Sequence, residues 1–273
     1  MRRLLARRLL VAAALLAAAA GCKRKPEASK PAATATTSAA APLDAAALYA
    51  KGKAALENKM LSEAVDNFTK ATTAATDPDL RANAWLGLGA AYGELGDHQK
   101  AVAAYEQVTV LRSDDPDAWR VLAEGMAAAG KPDKQAAALE HVIALDPDDL
   151  AAYLDLAGVD VAIGKADASK DVYVRYEVRR REAIMQLGKA KEPEARAAAA
   201  EALGGARDAG TARALVLALT DKDAGVRVAC AQALGRIGVD IDPEVRPALN
   251  AMLKKEADPK VRTAVDDALA TQH

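Results

Sequence analysis

The chain has 273 residues, 37 basic against 38 acidic, and a net charge of −1, which is length enough for one extended or two compact domains. That balance carries no cationic footprint for nucleic acid, and an apolar fraction of 51% supplied largely by alanine favours closely packed helices. Aromatic residues make up 3% of the chain, and all lie between Tyr49 and Tyr176. Their disappearance after Tyr176 predicts two helical modules packed by different rules, with the change near residues 177–190.

The chain opens with Arg2, Arg3, Arg7 and Arg8, followed by an apolar run from Leu9 to Ala20. That run is too short for a spanning helix and typical of the apolar region of a signal peptide. It ends in Ala19-Ala20-Gly21-Cys22, which resembles a bacterial lipobox, with Ala19 standing where that family usually has Leu. The resemblance implies a lipoprotein signal peptide at 1–21 and lipidation of the Cys22 thiol, which becomes the mature N-terminus; small Ala20 and Gly21 give the peptidase access. On the residues alone, an ordinary cleaved signal and an uncleaved anchor remain alternatives. Cys230, the other cysteine, falls in a distant helix and makes an unpromising disulfide partner. Lys23 after the cysteine, by resemblance to enterobacterial sorting, favours the outer membrane. Residues 22–43, rich in Pro, Ser, Thr and Ala without periodicity, are expected to form a disordered tether reaching on the order of 25 Å.

From Ala45 a helical pattern repeats, with hairpins starting at Ala45, Ala82, Pro116 and Leu150 at spacings of 37, 34 and 34 residues. The second copy is the clearest, with Trp85, Leu88, Gly89, Tyr92, Ala101, Tyr105 and Val108 at repeat positions 4, 7, 8, 11, 20, 24 and 27. Small residues at 8 and 20 let two helices approach, and large ones at 4, 11 and 24 fill the space between hairpins. The run resembles the tetratricopeptide (TPR) repeat. The first copy repeats the pattern through Leu48, Gly52, Ala64, Phe68 and Ala71, and the fourth through Tyr153, Leu156, Ala157, Tyr173 and Tyr176. The third, with Trp119, Leu122, Ala123, Leu139 and Val142, has Gln135 at position 20, so a register shifted by one is expected there. Gly96, Gly130 and Gly164 mark turns within hairpins, and Asp77-Pro78, Asp115-Pro116 and Asp146-Pro147 mark the starts of new ones.

The resemblance implies a ligand groove lined by the first helix of each hairpin. Its positions hold Tyr49, Lys53 and Glu57, then Asn83, Leu86 and Glu94, then Arg120 and Glu124, then Leu154. This mixture of aromatic, aliphatic and both charge signs suits a peptide or a partner helix. The chaperone-type carboxylate clamp of the family is excluded, because Tyr49, Lys53 and Gly87 occupy the places of its Lys and two Asn.

After Tyr176 the period changes. Residues 194–204, 225–235 and 260–270 are three copies of one helix, with second helices expected at Thr211–Leu219 and Pro243–Lys254. They resemble HEAT repeats of the phycobilisome-lyase type, with a Val-Arg-x-x-Ala-x-x-Ala-Leu-Gly helix. Arg196, Arg227 and Arg262 share one place in the copies and are expected to form a polar ladder, with Asp223 and Asp258 preceding two of them. Cys230 falls on the apolar stripe. Arg179, Arg180 and Arg181, on a long helix joining the modules, are read as a solvated face.

His98, His141 and His273 have no metal-ligand spacing, and no phosphate loop or nucleophile motif is present in the sequence. The expected fold is an all-α superhelix, TPR hairpins over 44–188 continuing into a HEAT stack over 189–273. The expected function is a membrane-anchored periplasmic scaffold or assembly factor, not an enzyme, without cofactor, metal, small-molecule substrate or nucleic-acid partner. Its expected partners are a protein or peptide of the cell envelope and, through Cys22, the membrane. The alternatives are a pilotin-like lipoprotein for secretin assembly and an accessory, lyase-like subunit of an enzyme.

Overall fold

The computed structural model describes residues 44–271, so the signal peptide at 1–21, Cys22, the tether at 22–43 and His273 lie outside the described residues. The fold is all-α, with thirteen helices among the described residues. In hairpin order these are α1 (Ala45–Glu57) and α2 (Leu61–Ala74), α3 (Pro78–Glu94) and α4 (His98–Leu111), α5 (Pro116–Ala128) and α6 (Pro132–Leu145), and α7 (Leu150–Ala162) and α8 (Ala166–Lys189). Five shorter-spaced helices follow: α9 (Pro193–Leu203), α10 (Ala209–Ala218), α11 (Ala224–Ile237), α12 (Val245–Leu253) and α13 (Pro259–Ala270). They form two compact units, α1–α5 ending at Lys131 and α6–α13 beginning at Pro132. The boundary expected at 188/189 lies inside the second unit, at the end of α8.

Helix starts follow from local chemistry. Asp44, Asp77, Asp97, Asp115 and Asp149 each accept a backbone N–H at the start of a helix, and Pro78 and Pro116 sit at the first helical positions. Turns inside the hairpins fall at repeat position 15, where Gly96, Gly130 and Gly164 take φ of +79°, +67° and +80°. The first hairpin places Lys59 there at φ 61°, a conformation that costs a side-chain-bearing residue about 1–2 kcal/mol. Lys59 Nζ donates to Glu94 Oε1 and Oε2 at 2.7 and 2.9 Å, tying the turn to the next hairpin.

In the first unit, Phe68 is fully buried in a cluster with Ala55, Ala64, Leu88 and Ala104. A Cβ built on Gly52 would stand 2.7 Å from Phe68 Cδ1, and one on Gly87 2.5 Å from Cζ, so the ring is clasped between two glycines of successive hairpins. Tyr105 repeats the arrangement between Gly89 and Gly125, whose Cβ would lie 2.7 Å from Tyr105 Cδ2. The glycines at position 8 were legible as close-approach residues; Gly87 and Gly125 form the second wall, one hairpin further on.

In the second unit the expected shift in the third hairpin is absent: Gln135 is half-buried at position 20, but Leu139 and Val142 keep positions 24 and 27 at 3% and 0% exposure. The later helices are held by a repeated arginine motif. Arg196 donates to both oxygens of Asp221 at 2.6 and 2.9 Å, and its Nη1 donates to the carbonyls of Ala190 and Lys191 at 3.0 and 2.8 Å. Arg227 does the same one repeat later, with Glu256 at 2.8 and 3.1 Å and the carbonyls of Asp221 and Lys222 at 2.9 and 3.2 Å. Arg262 Nη1 donates to the carbonyls of Leu253 and Glu256. The ladder therefore exists, but its acids are Asp221 and Glu256. Asp223 and Asp258 instead cap α11 and α13, each accepting two backbone N–H groups.

The arginine triplet is corrected in one member. Arg179 pairs with Glu182 and Arg181 is exposed, but the Arg180 side chain is 19% exposed and bonds Glu177 at 2.9 Å and Asp208 at 3.1 Å. Asp208 also caps α10 through Thr211, so Arg180 fastens the long helix to the stack that follows rather than facing solvent. Of the expected second helices, the first starts two residues earlier, at Ala209–Ala218, and the second is shorter at both ends, at Val245–Leu253.

Candidate protein-binding groove

The residues assigned to the groove have different surroundings. Tyr49 on α1 is half-buried, its ring centroid 5.9 Å from that of Phe68. Burial raises the Tyr49 phenol above its ordinary pKa, and the Arg112 cation pulls it partly back. Asn83 on α3 accepts a hydrogen bond from Arg112 Nη2 at 3.0 Å, and the same nitrogen donates to Asp79 Oδ1 at 3.2 Å. Arg112, a residue that repeat positions do not single out, thus bonds Asn83 and reaches Tyr49 only through its charge. Its only sequence signal is a cation directly after the last helical residue, Leu111, where the negative end of the helix dipole favours it.

Lys53 and Glu57 lie one turn apart on α1, with Nζ to Oε1 at 3.9 Å. Glu94 is spoken for by Lys59, so it stiffens a turn. On α5, Arg120 approaches Asp117 at 3.9 Å, and the Glu124 charge, after burial itself, helps raise the pKa of Tyr105. Leu154 is half-buried on α7, in the second unit.

Leu86 leaves the groove set. It is 7% exposed and packs with Val108 and Ala118, so the side chain is part of the core between α3, α4 and α5. Position 5 faces ligand only where the next first helix stands clear of it; here Ala118 closes over Leu86. In place of an aliphatic floor the first unit presents half-buried Tyr49 and the Asn83 amide joined to the Arg112 guanidinium at 3.0 Å.

Nothing in this arrangement supplies a nucleophile or a metal cage. No group of three or more His, Cys, Asp or Glu side chains that could hold a metal occurs among the described residues. Cys230 is 0% exposed, and burial pushes its thiol up to about 12, with the Asp221 charge adding to the rise. In a Cys22→Ser background, a thiol reagent is therefore expected to label Cys230 only as fast as the second unit opens. Labelling of this folded Cys22→Ser variant at the rate of a free thiol would contradict the burial of Cys230.

Family models match both kinds of repeat. A model of tetratricopeptide repeats matches residues 82–125, another matches residues 20–79, and a model of HEAT repeats matches residues 181–270. No curated protein is significantly similar to the chain. Among solved structures, a crystal structure of MamA is 22% identical at a TM-score of 0.45, covering 52% of this chain and 82% of that one. MamA from Desulfovibrio magneticus RS-1 is 19% identical at 0.43, covering 51% and 77%. TTC0263, a thermophilic TPR protein from Thermus thermophilus, is 20% identical at 0.36, covering 70% and 98%.

Proposed function

We propose that this chain of TPR and HEAT repeats is a lipid-anchored scaffold or assembly factor that holds a protein or peptide partner on the face shared by α1 and α3. TPR hairpins are a fold typical of protein–protein interaction. The observation that carries the reading is Arg112 held by Asn83 and Asp79, with its charge reaching half-buried Tyr49, an arginine and an aromatic being residue types in which interface energy concentrates. The HEAT helices carry the finer likeness to the phycobilisome-lyase type in the Val226–Gly235 pattern, a likeness of packing that brings no lyase chemistry with it.

The address is inferred from the lipobox-like Ala19-Ala20-Gly21-Cys22 and from Lys23: export, acylation at Cys22, and a periplasmic orientation with the outer membrane favoured. Intact mass of the membrane-extracted protein tests it, the expected product beginning at a triacylated Cys22. A soluble, unacylated chain retaining residues 1–21 would refute the anchor.

For the groove, a photo-crosslinking residue in place of Lys53 is expected to give a discrete adduct in cells, and one in place of Thr69 on α2 is not. Tyr49→Ala with Arg112→Ala is expected to weaken the captured partner's affinity about tenfold or more, each factor of ten corresponding to about 1.4 kcal/mol. An adduct equally strong from Thr69, or unaffected by the double variant, would exclude this face.

A further inference from the structure

α10 and α12, the second helices of two successive HEAT repeats, leave a groove between them. Val216 and Leu219 of α10 line a cavity of about 410 Å³ together with Ala248, Ala251 and Met252 of α12. The two alanines end at Cβ and leave this space unfilled. Its volume falls in the range of small-molecule sites, roughly 300–1,000 Å³, and its walls are mainly apolar, as in such sites.

Three polar side chains complete the lining, Thr220, Lys255 and Glu256, and two of them are committed within the protein. Both Glu256 oxygens accept from Arg227, at 2.8 and 3.1 Å, and Oε1 also accepts the Asp258 N–H at 2.9 Å. The Thr220 hydroxyl donates to the Leu217 carbonyl at 2.9 Å. Lys255 is exposed, and its ammonium group makes no ion pair or hydrogen bond among the described residues. The polar capacity left for a ligand is therefore one cation.

A ligand that matches this lining has an apolar body and one anionic end. A peptide matches it poorly, because its backbone N–H and C=O groups would lose water against Val216, Leu219 and Met252 without partners to replace it. A hydrocarbon chain has no such groups. An acyl chain in amide linkage, as proposed at Cys22, lacks the anion.

We propose that the α10–α12 groove binds a free carboxylate of the fatty-acid class, its chain along Val216, Leu219, Ala248 and Met252 and its carboxylate on Lys255 Nζ. The HEAT repeats then have a ligand of their own, distinct from the protein partner proposed for the first unit.

The test uses the full chain as Cys22→Ser, so that no acyl chain of its own competes, and sodium decanoate below its micelle-forming concentration. Binding is read by calorimetry and by NMR of isotope-labelled methionine methyl groups, with Met252→Leu assigning the Met252 signal. Saturable binding is expected, the Met252 signal moving while those of Met60, Met126 and Met185 stay in place. Lys255→Gln is expected to weaken decanoate about threefold or more and to leave the weaker binding of decanol, which lacks the charge, unchanged. Ala251→Trp, which fills the groove from an exposed position, is expected to abolish binding with unchanged helical circular dichroism. Absence of saturable binding overturns the proposal, as does a stationary Met252 signal or decanol binding as tightly as decanoate. Binding that survives Ala251→Trp, or is unaffected by Lys255→Gln, overturns it equally. An acidic peptide that moves the Met252 signal where decanoate does not would assign the groove to a peptide instead.

Discussion

Phe68→Ala lowers the stability of the first unit by about 3–5 kcal/mol, read as a shift in the denaturant midpoint by circular dichroism. The ring is 0% exposed and fills the space between Gly52 and Gly87, so its removal leaves a cavity bounded on two sides by backbone. Backbone in a helix cannot collapse into a void as a flexible side chain can, which puts the cost at the upper end of large-to-small changes. Gly87→Leu tests the same wall from the other side, and overpacking is expected to cost about 1–3 kcal/mol or more. A midpoint shift worth less than about 1 kcal/mol for Phe68→Ala would mean that the two hairpins are not clamped on this ring.

Arg196→Ala destabilises the second unit by about 3 kcal/mol, the magnitude expected when one partner of a buried pair is removed. The loss is of a fork. Asp221 keeps a charge at 14% exposure without its guanidinium, and the carbonyls of Ala190 and Lys191 lose their donors. Arg196→Lys keeps the charge but cannot serve all four acceptors in one plane, so it recovers only part of the loss. Hydrogen bonds from Arg196 hold the Asp221 carboxyl below the usual carboxylate range, and Arg227 does the same to Glu256. Because both folded pKa values are depressed, their stabilisation is present above the unfolded values of about 4 and is lost as pH falls through the folded ones. The second unit is therefore expected to weaken on acidification below about pH 4, and Asp221→Asn is expected to flatten that dependence while lowering stability at neutral pH. Equal stability of the parent at pH 7 and pH 3 would contradict the ladder.

Several particulars of the candidate site were legible in the sequence and several were not, for one reason. Gly52, Gly89, Phe68 and Tyr105 could be placed because a helix repeats its faces every few residues and a fixed period superposes them. Leu86 could not: its position is a groove position, but its burial depends on Ala118 arriving from the next hairpin. Arg112 was missed because its contacts with Asp79 and Asn83 span about thirty residues and follow no period. The ladder arginines were readable and their acids were not, since Asp223 and Asp258 are two residues from the true partners and better suited to capping.

The sequence by itself determined the all-α class, the positions of the hairpin turns, the change of repeat type and the residues of close approach. These are local or strictly periodic properties, set by propensity, caps, left-handed turn residues and the size of side chains on one helix face. Only the tertiary structure decided which faces are covered: Leu86 and Arg180 inside, Tyr173 outside, Glu94 committed to a turn. Coverage depends on where the next hairpin docks, and docking is a sum over many distant contacts that no single stretch of chain contains.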